Sequence, residues 1–148
     1  MENILIRKAD KKDLDEVFRL INILENKTFD RKKFEDCFLD VLNNKNIQCF
    51  VASIEDKIIG FSSVSIFNQL HHCGKVAEIL ELVVDENYRN KNIGKSFIDF
   101  IKKFAEENKS TTIDVASNKT RINAHRFYER EGFKSSHFKF TLDLDAKQ

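Results

Sequence analysis

Ile79-Leu80-Glu81-Leu82-Val83-Val84-Asp85-Glu86-Asn87-Tyr88-Arg89-Asn90-Lys91-Asn92-Ile93-Gly94 decides how the rest of the chain is read. Its first six residues are an apolar run of strand length. Its last six are a basic turn opening a helix in which Ile93, Phe97, Ile98, Ile101, Phe104 and Ala105 keep a 3.6-residue period. Backbone N–H groups in the first turn of a helix have no partner inside it and carry the positive end of the helix dipole. Arg89, Lys91 and Lys95 add full charges around the same point. A strand, a basic turn and a helix N-terminus in that order form a phosphate cradle. The stretch therefore predicts a pyrophosphate-bearing cofactor.

Length and composition are consistent with that. A chain of 148 residues implies one domain, residues 1–148, with one core. Net charge is +1, from 25 basic and 24 acidic residues, so nothing global suggests a nucleic-acid binder. Basic residues are dense only locally, over residues 89–95 and 119–130, which suits a small polyanion. Cys37, Cys49 and Cys73 are odd in number and widely spaced, which is neither a disulfide framework nor a zinc pattern. The N-terminal residues are too few and too charged for a signal peptide, and no apolar run approaches the ~20 residues that span a bilayer. The expectation is a soluble, cytoplasmic protein with neither nucleic-acid nor membrane partners.

Proline is absent, so breaks fall at Gly, Asn and Asp. Residues 4–7 read as a first strand. Asp10 and Asp30 are placed to cap two helices, with apolar stripes Leu14, Val17, Phe18, Ile21, Leu24 and Phe34, Cys37, Phe38, Val41, Leu42. Residues 48–54 and 57–67 read as a hairpin linked at Glu55-Asp56, and residues 75–84 as a central strand. After the amphipathic helix come a strand over 111–116, a helix over 120–131 ending at a left-handed Gly132, and an alternating strand over 138–144 that closes the sheet. The order β-α-α-β-β-β-α-β-α-β predicts an α/β fold. Its central sheet is mixed and mostly antiparallel, with a βαβ cofactor site and helices on both faces.

Order and motifs together resemble the GNAT superfamily of N-acetyltransferases, which move an acetyl group from acetyl-CoA to an amine. The turn from Arg89 to Gly94 resembles that family's Arg/Gln-x-x-Gly-x-Gly/Ala pyrophosphate turn. Asn123-Ala124-His125-Arg126-Phe127-Tyr128-Glu129-Arg130-Glu131-Gly132-Phe133 resembles its Asn-x-x-Ala-x-x-Phe-Tyr-x-x-x-Gly-Phe signature. One departure concerns the turn, where Asn90 and Asn92 stand at positions the family gives to glycine. Asn tolerates left-handed backbone better than other non-glycine residues, so the cradle can still form.

The resemblance implies acetyl-CoA as cosubstrate, held by Leu82, Val83, Val84, Arg89, Asn90, Lys91, Asn92, Ile93, Gly94, Lys95, Ser96, Asn123, Arg126 and Tyr128. An acceptor amine with a pKa near ~10 must lose a proton before it attacks a thioester. Glu81 is placed to take it, directly or through water. Regular alternation puts Glu78 on the opposite face from Glu81. A strand N–H near residues 82–84, freed by a bulge, would donate to the thioester carbonyl. Tyr128 matches the family's acid, which protonates the departing thiolate.

Adjacent His71 and His72 cannot easily converge on one ion, and no metal is expected. Ser136-His137-Phe138-Lys139-Phe140, with the 124–132 segment and the Asn-for-Gly turn, resembles aminoalkylphosphonate N-acetyltransferases and implies a small aminophosphonate acceptor. Two other readings stay open: a non-catalytic acyl-CoA sensor on the same fold, and an acetyltransferase acting on a protein amine. The resemblance also admits a homodimer.

Overall fold

The computed structural model describes residues 3–145; the ends of the expected 1–148 domain lie outside them. The chain divides into two compact units, Met1–Val115 and Ala116–Gln148.

The first unit holds a five-stranded sheet: β1 (Leu5–Lys8), β2 (Ile47–Ile54), β3 (Lys57–Gln69), β4 (Gly74–Val84) and β5 (Ser110–Val115). They lie side by side in that order. The first three pairings are antiparallel and β4–β5 is parallel. The β2–β3 hairpin turns through Glu55 and Asp56, both at positive φ. Parallel neighbours need a crossover. Here it is helix α3 (Ile93–Glu107), so β4-α3-β5 is the expected βαβ unit.

Helices cover both faces. On one, α1 (Leu14–Glu25) and α2 (Arg31–Leu42) bury Val17, Leu20 and Phe38 against Cys49, Val51, Phe61 and Val83. Asp10 begins this layer: its carboxylate accepts from the Lys12 N–H in a capping box with Asp13, ahead of the 3-10 turn that leads into α1. Asp30 likewise accepts from the Lys33 N–H and starts α2. On the other face, α3 buries Ile93, Phe97, Ile98, Ile101 and Ala105. Phe50 of β2 receives the edges of Phe100 and Phe104, at centroid distances of 4.9 and 5.2 Å. Contacts of that geometry add about 0.5–1.5 kcal/mol each beyond area burial.

The second unit holds α4 (Ile122–Arg130). Its end is a complete Schellman motif: Phe133 N–H donates to Tyr128 O at 3.0 Å, Gly132 N–H donates to Glu129 O at 3.1 Å, and Gly132 sits at φ 99°. The expected closing strand over 138–144 is not formed. Those residues carry no strand pairing, and Phe138, Phe140, Leu142 and Leu144 are 83–93% exposed. Alternation gives a segment strand propensity, but a strand exists only where a neighbour completes its hydrogen bonds.

Gly60 of β3 marks the tightest approach of the sheet to α3. A Cβ there would lie 2.8 Å from Cε2 of Phe97, whose ring is wholly buried, and 3.3 Å from Val83 O. Gly60→Ala is expected to lower the unfolding free energy by about 1–3 kcal/mol, measured by urea denaturation. An unchanged midpoint would mean the Phe97 ring has room to retreat.

Candidate active site

The basic turn begins with an acidic anchor. Asp85, 3% exposed, ends the β4 run, and its carboxylate accepts from the Asn87 N–H at 2.9 Å and from Arg19 Nη1 of α1 at 2.8 Å. Arg19 also donates to Glu16 and to Ile58 O, so one guanidinium ties helix, hairpin and turn together. Burial pushes the Asp85 carboxyl up, but these donors outweigh it and hold it below the usual carboxylate range.

Beyond that anchor the chain passes through Asn90 at φ 68° and Asn92 at φ 62°. Both asparagines therefore take the left-handed conformation that the family's glycines would adopt. Asn92 is the N-cap of α3, yet no cap side chain accepts from the first turn. Ser96 turns inward instead, its N–H and Oγ both 3.0 Å from Asn92 O. The Lys57 and Lys91 ammonium groups stand over the Tyr88 ring, 5.3 and 5.9 Å from its centroid, and Lys95 pairs with Asp99 at 3.5 Å. Arg89 reaches Val84 O at 3.4 Å. Ile93 is buried and secures the helix start to the core. Uncapped N–H groups, left-handed asparagines and local cations are the donor set that phosphate requires.

Glu81 lies on the α1/α2 face of β4. It pairs with Ser63, Glu78 pairs with Ser65, and a bulge puts Leu80 between them as the extra residue. Ser63 and Ser65 share a face of β3, so Glu78 and Glu81 share a face too. This corrects the expectation that alternation separates them, because one extra residue reverses every later side chain. Asp114 of β5 stands beside Glu78 in register and joins the same face. The Glu81 carboxylate accepts from the Ser63 hydroxyl, while Ser62 Oγ donates to Glu81 O at 2.8 Å. Burial pushes the Glu81 carboxyl above its ordinary value; the Ser63 hydrogen bond works against this, and the charge of Glu25 adds to it. Cys49, across β3 from Glu81, is pushed up to about 12, mainly by burial, and stays a thiol.

Leu82, Val83 and Val84 pair with β3 without interruption, so the bulge falls just before them rather than among them. Their other edge differs. Parallel pairing with β5 ends at Ile79↔Val115, and β4 runs on through residues 80–84 with β3 as its only strand partner among the described residues.

In the second unit, Asn123 and Arg126 are exposed on α4. Arg121 is the N-cap residue of α4. Tyr128 is half-buried between Phe127 and Phe133, with centroids at 5.3 and 5.5 Å. Burial pushes its phenol up, opposed by Arg121, which keeps it a proton donor. His71 and His72 are exposed in a 3-10 turn after β3, and no group of three His, Cys, Asp or Glu among the described residues is arranged to hold a metal.

Residues 14–133 match the Acetyltransferase (GNAT) family. The chain is 34% identical over 139 residues to an aminoalkylphosphonate N-acetyltransferase of Salmonella typhimurium, covering 94% of this chain and 90% of that protein. Among solved structures it is similar to a transcriptional regulator from Bacillus halodurans, at a TM-score of 0.89 and 23% identity over 96% of this chain and all of that one. It is also similar to glucosamine-6-phosphate N-acetyltransferase from Arabidopsis thaliana, at a TM-score of 0.80 and 23% identity over 97% of this chain and all of that one.

The left-handed N-cap generates a stability prediction. Asn92→Val is expected to cost about 1–2 kcal/mol, because a β-branched residue resists this backbone region, whereas Asn92→Gly leaves stability nearly unchanged. Urea titrations of the two variants check it, and equal losses in both would show that the Asn92 side chain, not its backbone angle, matters.

Proposed function

The chain belongs to the GNAT family of acetyltransferases, and we propose from this that it transfers the acetyl group of acetyl-CoA to the primary amine of a small molecule, with Glu81 as base and Tyr128 as acid. The observation that carries the reading is a half-buried carboxylate, bonded to a buried serine, on the strand that leads directly into an uncapped, cation-flanked helix N-terminus. GNAT acetyltransferases use acetyl-CoA as acyl donor, and the donor set here suits its pyrophosphate.

Arg89, Asn90, Lys91, Asn92, Ile93, Gly94, Lys95 and Ser96 hold the pyrophosphate through backbone N–H groups and charge. Leu82, Val83 and Val84 offer the pantetheine arm a strand edge that β5 does not cover. Asn123 and Arg126 add cofactor contacts. Acetyl-CoA supplies the thioester carbonyl that the amine attacks. Glu81 removes the ammonium proton, directly or through one water, and its raised pKa makes it a stronger base than an exposed carboxylate. A β4 backbone N–H beyond Ile79 donates to the carbonyl oxygen as negative charge develops. Tyr128 gives its phenolic proton to the departing thiolate and regains one as the nitrogen of the tetrahedral intermediate loses its second proton, so the products are an N-acetyl amine and free CoA.

The Salmonella relative supports an aminoalkylphosphonate as acceptor. A second reading, a cationic diamine or polyamine, is favoured by charge: Glu78, Glu81 and Asp114 share one face, and the charge of Glu25 acts on Glu81.

Thiol release from acetyl-CoA, measured over a panel of aminomethylphosphonate, aminoethylphosphonate and diaminobutane, separates these readings. Turnover of the phosphonates supports the first acceptor, and turnover of the diamine alone replaces it with the second. Binding of acetyl-CoA without turnover of any amine would favour a sensor. Glu81→Gln is expected to lower kcat by about 10²-fold or more, and Tyr128→Phe by a similar factor with the KM for acetyl-CoA little changed. The base must be unprotonated to act, so activity falls as pH drops through the Glu81 pKa, at a pH above the ordinary carboxylate range. Unchanged kcat in Glu81→Gln would remove Glu81 from the mechanism.

A further inference from the structure

We infer that Ser63 is the positioning residue of the proposed base: its buried hydroxyl donates to the Glu81 carboxylate, while neighbouring Ser62 holds the peptide of the same residue, so that β3 fixes Glu81 at both its side chain and its backbone. The inference rests on Glu81 serving as base.

Apolar side chains dominate the middle of β3, which runs Ile58-Ile59-Gly60-Phe61-Ser62-Ser63-Val64, and each of these residues is buried. Ser62 and Ser63 are both 0% exposed. A hydroxyl in such a place costs free energy unless it is bonded. Each serine resolves this on Glu81, and from opposite faces of the strand: Ser62 Oγ donates to the Glu81 carbonyl and Ser63 Oγ to its carboxylate. They sit at the register shift between Ser63 and Val64, where the bulge would otherwise leave the Glu81 backbone loosely held.

The charged groups around Glu81 make this contact consequential. Glu25 acts on it from α1, Cys49 faces it from β2 as a neutral thiol, and Glu78 of β4 with Asp114 of β5 extends the acidic face. Burial and like charge both favour the protonated acid, which cannot act as base. The hydrogen bond from Ser63 works the other way. An O–H donated to a carboxylate favours its ionised form and, by directing one oxygen, fixes its rotamer.

The test follows the titration of Glu81 directly. Carboxyl ¹³C NMR of the full chain, with Glu81→Gln to assign the signal, reports the titration midpoint without substrate. Ser63→Ala is expected to move that midpoint to higher pH. It should lower kcat/KM about ten-fold on the acid limb, with the alkaline plateau nearly preserved. Ser63→Thr keeps the donor and restores the profile, and Ser63→Cys, a weaker donor, falls between. If Ala is too unstable to measure, the Cys–Thr comparison carries the test. An unmoved Glu81 midpoint in Ser63→Ala or Ser63→Cys, with Glu81→Gln inactive, overturns the role of Ser63 and leaves the base assignment standing. An active Glu81→Gln overturns the base assignment itself, and the NMR arm then still decides whether Ser63 governs the carboxylate.

Discussion

β4 has two strand neighbours up to Ile79 and one thereafter, and the rest of the molecule is arranged around that change. Through Ile79 it is an ordinary central strand, held by β3 and β5. From Leu80 onward it is held by β3 alone. The bulge at Leu80 falls at the transition and shifts the register of β4 against β3 by one residue. Covering α3 with the ring of Phe97 under Gly60 keeps the same stretch of β3 flat against its helix. The one-sided stretch therefore keeps strand pairing with β3 on one edge and has none with β5 on the other.

Charge follows the same division. At the end of β4 the chain turns through Asp85 into cations and uncapped N–H groups, while the α1/α2 face of the strand carries Glu78, Glu81 and, from β5, Asp114. Arg19 keeps the first region in place. Its guanidinium reaches Glu16, Asp85 and Ile58 O at once, a geometry a lysine cannot reproduce. Asp85 in turn is nearly buried, so loss of Arg19 would leave an uncompensated carboxylate beneath the cradle.

How much of this was legible in the sequence depended on the range of the forces involved. Caps at Asp10 and Asp30, the apolar stripe of α3 and the Gly132 end of α4 are set within one or two helical turns, and each was readable from spacing. The signature from Tyr128 to Phe133 also has a local physical meaning, since its Gly-Phe pair closes a Schellman motif with Phe133 packed on Tyr128. The backbone of the turn was legible too, with Asn90 and Asn92 both at the positive φ that glycine allows. What failed was cross-strand. Nothing in the β4 sequence announces that Leu80 is an extra residue, so Glu78 was assigned to the wrong face. Nothing local to β3 announces that Ser62 and Ser63 bond to Glu81 across the sheet. Arg19 and Asp85 lie far apart in sequence and meet only through tertiary packing. The alternation at residues 138–144 is a real strand signal without a strand partner.

The surroundings of Glu81 show why a general base at this position cannot be made by burial alone. Desolvation and the nearby Glu25 raise the proton affinity of the carboxylate, which strengthens it as a base. The same influences also favour the protonated form, which cannot take up a proton. A cation beside it would restore ionisation but weaken the base and repel an ammonium acceptor. A neutral hydroxyl also favours the ionised form through one oxygen, and it introduces no charge toward an incoming amine. On this argument the serines of β3 and the carboxylate of β4 form one unit, and the bulge that brings them face to face is as much a part of the proposed site as Glu81 itself.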